Sequence, residues 1–175
     1  MATNKMPEVL NDFRAYDENQ TNMLGITSVE YPSISNITQT VKGTGVGGEV
    51  DATVLGQFES METKINWNTP TKYNLRFMGG KPVALEFRGA VQNWDSGENR
   101  YVWDNIRVII RGRAKNGEPG KWEPANTTDA TNTIETTYFK YEVNNETMIE
   151  IDKYACKCVI DGVDLTAELR KALGI

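Results

Sequence analysis

Residues 83–94, VALEFRGAVQNW, alternate apolar and polar positions and place Val83, Leu85, Phe87, Gly89 and Val91 on one parity. A period of two marks a strand with one buried face. The cluster DSGEN then turns the chain into RYVWDNIRVIIRGRAK, where Ile106, Val108 and Ile110 share a face, so the two stretches predict a long hairpin. A second hairpin is signalled by Asn144 and Asn145 between IETTYFKYEV and ETMIEIDKYACKCVI, because asparagine tolerates the positive φ of a tight turn. Asp161 and Gly162 mark a further turn. Near the start, FRAY at 13–16, the polar cluster DENQTN and MLGITSVEY read as an opening hairpin.

Helical signal is scarce. Residues 68–80, NTPTKYNLRFMGG, offer Asn68 or Thr69 as an N-cap, an early proline and a closing glycine pair, which predicts a short helix over 70–77. At the end of the chain, GVDLTAELRKALGI carries Leu165, Leu169 and Leu173 at i, i+4 and i+8, with acids early and Arg170 and Lys171 late. That is the pattern of a short amphipathic helix. Residues 32–50 and 116–133 are rich in Ser, Thr, Asn and Gly and read as extended, irregular loops. Long loops in a compact domain usually serve a function or become ordered on a partner. The expected fold is mainly β, an antiparallel β-sandwich or barrel-like arrangement with one short central helix and a short C-terminal helix, in a single domain over 1–175.

The chain has 175 residues, of which 39% are hydrophobic and 25% charged, and a domain of this size buries roughly 70% of its unfolded surface in one core. No apolar run approaches the ~20 residues that span a bilayer, so membrane insertion is not expected. The first residues, MATNKMPEVLNDFRAYDEN, lack the apolar core of a secretory signal, which places the chain in the compartment where it is made, the cytoplasm. Net charge is −5, against a sequence-independent grip on nucleic acid, which needs Lys and Arg to neutralise phosphates. The charge is segregated. Residues 1–62 hold three basic and nine acidic side chains, residues 63–125 eleven and six, and residues 126–175 five and nine. Sign blocks of this kind suit offset contact between copies, although solvated surface charge gives the same pattern.

Catalytic chemistry finds little material. The chain has no histidine, which excludes the common Ser-His-Asp and Cys-His pairs, and a metal site at Cys156 and Cys158 would need further ligands that histidine does not supply. Those cysteines lie two apart in an apparent strand and read as small buried thiols on one face. No cofactor or metal is expected. The stretch GTGVGGEVDAT at 43–53 is glycine-rich, yet Glu49 follows Gly48 where a phosphate loop needs lysine, and strand-like sequence follows where it needs a helix. Glu150 and Asp152 share a strand face, which matches a carboxylate pair or a solvated or interface stripe. Arg107, Arg111, Arg113 and Lys115 share one parity with Trp103, a basic stripe that either binds single-stranded nucleic acid or faces an acidic surface within the subunit or across an interface. Trp67, Trp94, Trp103 and Trp122 suit core or interface packing, or a carbohydrate platform if exposed together.

The segment TYFKYEVNNETMIEIDKYACKCVIDGVDLTAELRKALGI resembles the end of the major tail tube proteins of contractile-tailed bacteriophages, with its Tyr-rich strand, turn, IEID strand, apolar strand, Gly-Val-Asp and short helix ending in Leu-Gly. VALEFRGAVQNWDSGE and NIRVIIRGRAKN resemble two central strands of the same family, and Glu30 to Gly48 resembles its Pro-bearing strand and glycine-rich loop. The likeness spans nearly the whole chain and extends to phage-tail-like bacteriocins. It implies homo-hexameric rings that stack into a hollow tube inside a sheath, with a tape-measure protein, a baseplate tube initiator and a tail terminator as further partners. DNA would pass through without specific binding, and the site of action would be the virion tail. On this reading Gly43, Thr44, Gly45, Val46, Gly47 and Gly48 form an inter-ring loop, Glu150 and Asp152 are lumen acids that repel phosphate, and Arg107, Arg111 and Arg113 form an interface stripe. The competing readings are a type VI-like secretion tube protein of shared architecture, a carbohydrate-binding β-sandwich module, and a hydrolase.

Overall fold

The computed structural model describes residues 4–17, 23–43, 45 and 47–175. In chain order the strands are β1 (Lys5–Asp17), β2 (Met23–Leu24), β3 (Ile26–Glu30), β4 (Asn36–Val41), β5 (Val50–Phe58) and β6 (Glu62–Trp67), followed by helix α1 (Lys72–Arg76). After it come β7 (Pro82–Asp95), β8 (Arg100–Glu118), β9 (Ala130–Val143), β10 (Glu146–Asp152), β11 (Lys157–Ile160), β12 (Val163–Asp164) and helix α2 (Ala167–Leu173). Among the described residues every strand pairing is antiparallel and the sheet does not close into a barrel.

The main sheet runs in the order β12-β11-β10-β9-β8-β7-β1-β2. Its centre is the long hairpin read from the alternation of residues 83–94: Phe87 stands opposite Val108 and Leu85 opposite Ile110. Leu85, Phe87, Val108, Ile110, Phe139, Ile151 and Cys158 are buried on one face. A second layer folds over that face because β9 changes neighbours halfway. Its first half pairs with β6 and its second half with β10. Between the halves Arg111 opposes Tyr138 while Gly112 opposes Thr136, so Thr137 is a bulge. The bulge switches the buried parity from Ala130, Asn132, Ile134 and Thr136 to Phe139, and one strand thereby serves two layers. Gly112 is required there, since a Cβ would sit 2.0 Å from the Glu135 carbonyl oxygen.

β6 carries Thr63, Ile65 and Trp67 onto the core, and β3 pairs on its far side. The ring of Tyr31 meets Phe87 edge-on at 5.8 Å. Thr63 and Thr136 share a buried hydroxyl hydrogen bond of 2.7 Å. The central helix closes one end: Asn74 donates to Asn132 at 2.9 Å, and Phe77 packs beside Trp67. Its cap is Thr71, whose hydroxyl accepts from Tyr73 and Asn74, and not Asn68 or Thr69.

Several local expectations are corrected. β1 joins β2 over only Ala15 and Tyr16, and its long partner is β7, while β3 belongs to β6, so the opening hairpin is only the rim of a larger pairing. The stretch 32–50 contains a regular strand, β4, paired with β5. Of 116–133, β8 claims the start and β9 the end. Cys156 is not in a strand: it sits half-buried in a turn at φ 48°, and only Cys158 is a buried strand thiol. The turn forms because Asp152 accepts the N–H groups of Tyr154 and Ala155 at 3.0 Å, local bonding that the alternating pattern of this segment conceals.

Candidate functional site

Among the described residues no other element pairs with or packs over the face of the main sheet opposite the core, and that face is built from interlocked charges. Strand alternation brings Glu86, Arg88, Arg107, Lys140, Glu142 and Glu150 to it from four neighbouring strands. Glu86 keeps 3% of its exposure and accepts from Arg88 Nε at 2.6 Å and Arg107 Nη2 at 3.0 Å. Burial works against its charge, but the hydrogen bonds from Arg107 and Arg88 outweigh burial and hold its pKa below the ordinary carboxylate value. Arg107 also reaches Glu142 at 3.3 Å, and Lys140 closes on Glu142 at 2.6 Å.

Glu150 stands on this face and accepts from Lys157 at 2.9 Å and from the Tyr138 hydroxyl at 3.2 Å. Burial, and after it the Glu150 charge, push the Tyr138 phenol up to about 12. The guanidinium of Arg111 lies 5.0 Å from the centre of the Tyr138 ring. Asp152 shares the parity of Glu150, and its carboxylate holds the following turn. Lys115 pairs with Glu62, and Arg113 is exposed on the same strand face. The structure therefore brings Arg107, Arg111 and Glu150 into one mosaic. The sequence pattern missed Glu86 and Glu142; each sits on the non-core parity of a recognised strand, which was the only signal for them.

The glycine stretch caps an arm. β4 and β5 form a separate two-stranded sheet with every β4 residue exposed. Thr40 donates to Asp51 at 2.7 Å and Lys42 reaches Glu49 at 3.3 Å. Gly43 and Gly45 take φ values of 141° and 94°, and Gly47 and Gly48 complete the tip. Thr44 and Val46 lie outside the described residues. The arm leaves Ile37, Val41, Val50 and Leu55 exposed, and a two-stranded hairpin alone in water is marginal.

The root of the arm is gripped by the C-terminal helix. A Cβ on Gly56 of β5 would lie 3.0 Å from Thr166 and 3.2 Å from Leu169. Thr166 stands at the N-cap of α2 without capping it; its buried hydroxyl instead accepts the Cys158 N–H at 2.9 Å and donates to Asp164 at 3.1 Å. Arg170 Nη2 donates to Asp164 at 2.6 Å, and this hydrogen bond is the main cause that lowers the Asp164 carboxyl to about 2.

The described residues thus present a sheet with one apolar and one charged face, and an exposed apolar arm held only at its root. The family described as phage tail tube protein FII matches residues 7–174. The chain belongs to that family. It is a structural, non-enzymatic tail tube subunit and a component of the phage virion tail. The tail tube protein of Escherichia phage P2 is similar to this tail tube chain, 26% identical over 152 residues that cover 85% of this chain and 86% of that protein. The match takes in all twelve strands except the first two residues of β1, together with both helices.

Proposed function

We propose that copies of this chain join edge to edge into six-membered rings, and that the rings stack into the hollow inner tube of a contractile phage tail. The observation that carries this reading is the edge of β1. Of its thirteen residues, only Ala15 and Tyr16 have a partner on the outer side among the described residues, so the backbone from Lys5 to Arg14 is open. A long open edge invites pairing with another chain, and a closed ring of sheets removes all such edges. The opposite end of the sheet, the short β11 and β12, supplies the mating edge in a head-to-tail contact.

In this arrangement the face opposite the core turns toward the lumen. Glu150 and Asp152 lie on it as proposed lumen acids, compensated by Lys157 and by backbone N–H groups. DNA then meets alternating charge instead of a continuous cationic track, and moves through without being held. The arm tipped by Gly43–Gly48 reaches the neighbouring ring, where its apolar residues become covered. Arg107, Arg111 and Arg113 organise the lumen face and its border with the next copy. Sheath protein outside, a tape-measure protein within, and initiator and terminator at the two ends complete the assembly.

Negative-stain electron microscopy of the purified protein over a range of concentrations tests this. Rings or hollow tubes are the expected result. Featureless monomers at high concentration overturn the reading.

A further inference from the structure

An apolar cavity of about 230 Å³ opens at the β1 end of the main sheet, between its core face and β3. It is lined chiefly by Leu10, Phe13, Val29, Tyr31, Phe87 and Val108. Leu10 is 50% exposed at its rim. At the opposite end of the sheet α2 presents the reverse: a helix with no buried residue, whose last residue Leu173 is 59% exposed and is followed, past the Gly174 cap, by Ile175 at 74%. Seven residues are too few for a helix to persist unaided, yet this one is clamped by Asp164, Thr166 and Arg170. An anchored helix with an uncovered apolar end is built to cover something.

We infer that the cavity receives the Leu173 and Ile175 end of α2 from a second copy of this chain. The inference rests on the edge-to-edge ring proposed above. When the β11–β12 end of one sheet meets β1 of the next, the helix that follows β12 arrives at that strand. It arrives on the correct side: Thr166 and Leu169 lie against β5, whose Phe58 packs onto the core face, and the cavity opens on that same face. Glu8 and Asp12 flank Leu10 on β1, and Lys171 on α2, whose contact with the exposed Glu168 is a loose 3.9 Å, is the cation that can meet them. The two ends are different surfaces of one molecule, so the contact is heterologous and propagates around a ring. Leu173 and Ile175 would fill a void that is otherwise open to water, and Leu10 would be covered by the same contact.

The test places p-benzoylphenylalanine at position 173 and assembles a mixture of ¹⁴N- and ¹⁵N-labelled chains. Mixed-isotope crosslinks from position 173 to peptides carrying Leu10, Phe13, Val29 or Tyr31 are expected. Tubes that form with crosslinks only within one chain, or only to the arm at 36–58, overturn the inference and leave the tube reading intact. Absence of any ring or tube from the unaltered chain overturns both. A second arm uses Leu173→Asp with Ile175→Asp, and separately Leu10→Asp, all at exposed positions. The monomers should keep their far-ultraviolet circular dichroism, while the concentration needed for rings rises about tenfold or more, as when a central apolar anchor is lost. Unchanged assembly in both variants also overturns it.

Discussion

Arg107 donates to Glu86 at 3.0 Å across the β7–β8 pairing, on the face of the sheet opposite the core. Glu86 is nevertheless buried, because the guanidinium groups of Arg88 and Arg107 close over it. Charge has replaced apolar packing as the means of ordering this face.

Glu86→Gln should therefore destabilise the subunit by about 1–3 kcal/mol. The carboxylate is buried, but its partners are 39% and 47% exposed and water screens the loss, so the cost falls below that of a wholly buried pair. Urea denaturation of the unassembled chain measures it. A change smaller than about 0.3 kcal/mol would show that the ladder orders nothing.

Acid should release the C-terminal helix. The folded value of Asp164, about 2, lies below its ordinary 3.8, so the carboxylate stabilises the fold above pH 3.8 and that contribution is lost as pH falls toward 2. Protection of the α2 amides, measured relative to the intrinsic exchange rate at each pH, should fall over this window, while Asp164→Asn should show low protection already at neutral pH and lose the acid dependence. Equal protection of α2 at pH 5 and pH 2.5 would contradict this.

Gly112→Ala should impair folding more than its size suggests. The new methyl group would meet the Glu135 carbonyl oxygen at 2.0 Å, a backbone atom that cannot move without shifting the β8–β9 bulge. A loss of about 3 kcal/mol, the upper end for overpacking, is expected by thermal or urea unfolding.

Changes in the arm should separate stacking from folding. Val41 and Val50 oppose one another and are exposed, so Val41→Asp with Val50→Asp should alter monomer stability by no more than about 0.5 kcal/mol. Electron micrographs should show single rings in place of tubes, and deletion of residues 44–48 should do the same. Normal tubes from either variant would remove the arm from the inter-ring contact.

Much of the β content was legible before the structure. The alternation at 83–94 located the central hairpin, Asn144 and Asn145 marked a real turn at φ 50° and 68°, and the Leu165–Leu173 spacing located α2. β4 was hidden because NITQTV has only two apolar residues, Ile37 and Val41, between a Pro-Ser stretch and the glycine-rich tip, and Cys156 was misplaced because a side-chain-held turn interrupts a run that still alternates. The family resemblance was readable from the order of the C-terminal motifs. The ion ladder was not, since Glu86 and Arg107 are joined only by strand register.

Local pattern thus located the long strands, their apolar faces and the turn at Asn144 and Asn145, but not β4 or the turn at Cys156, because it reads only residues a few positions apart. Tertiary pairing decided that β9 serves two layers, that Glu86 is enclosed by two arginines, and that α2 grips the root of the arm while its own apolar end stays uncovered. A period of two names the face on which a side chain stands but not the neighbour across the next strand, and that neighbour comes from a part of the chain brought near only by folding.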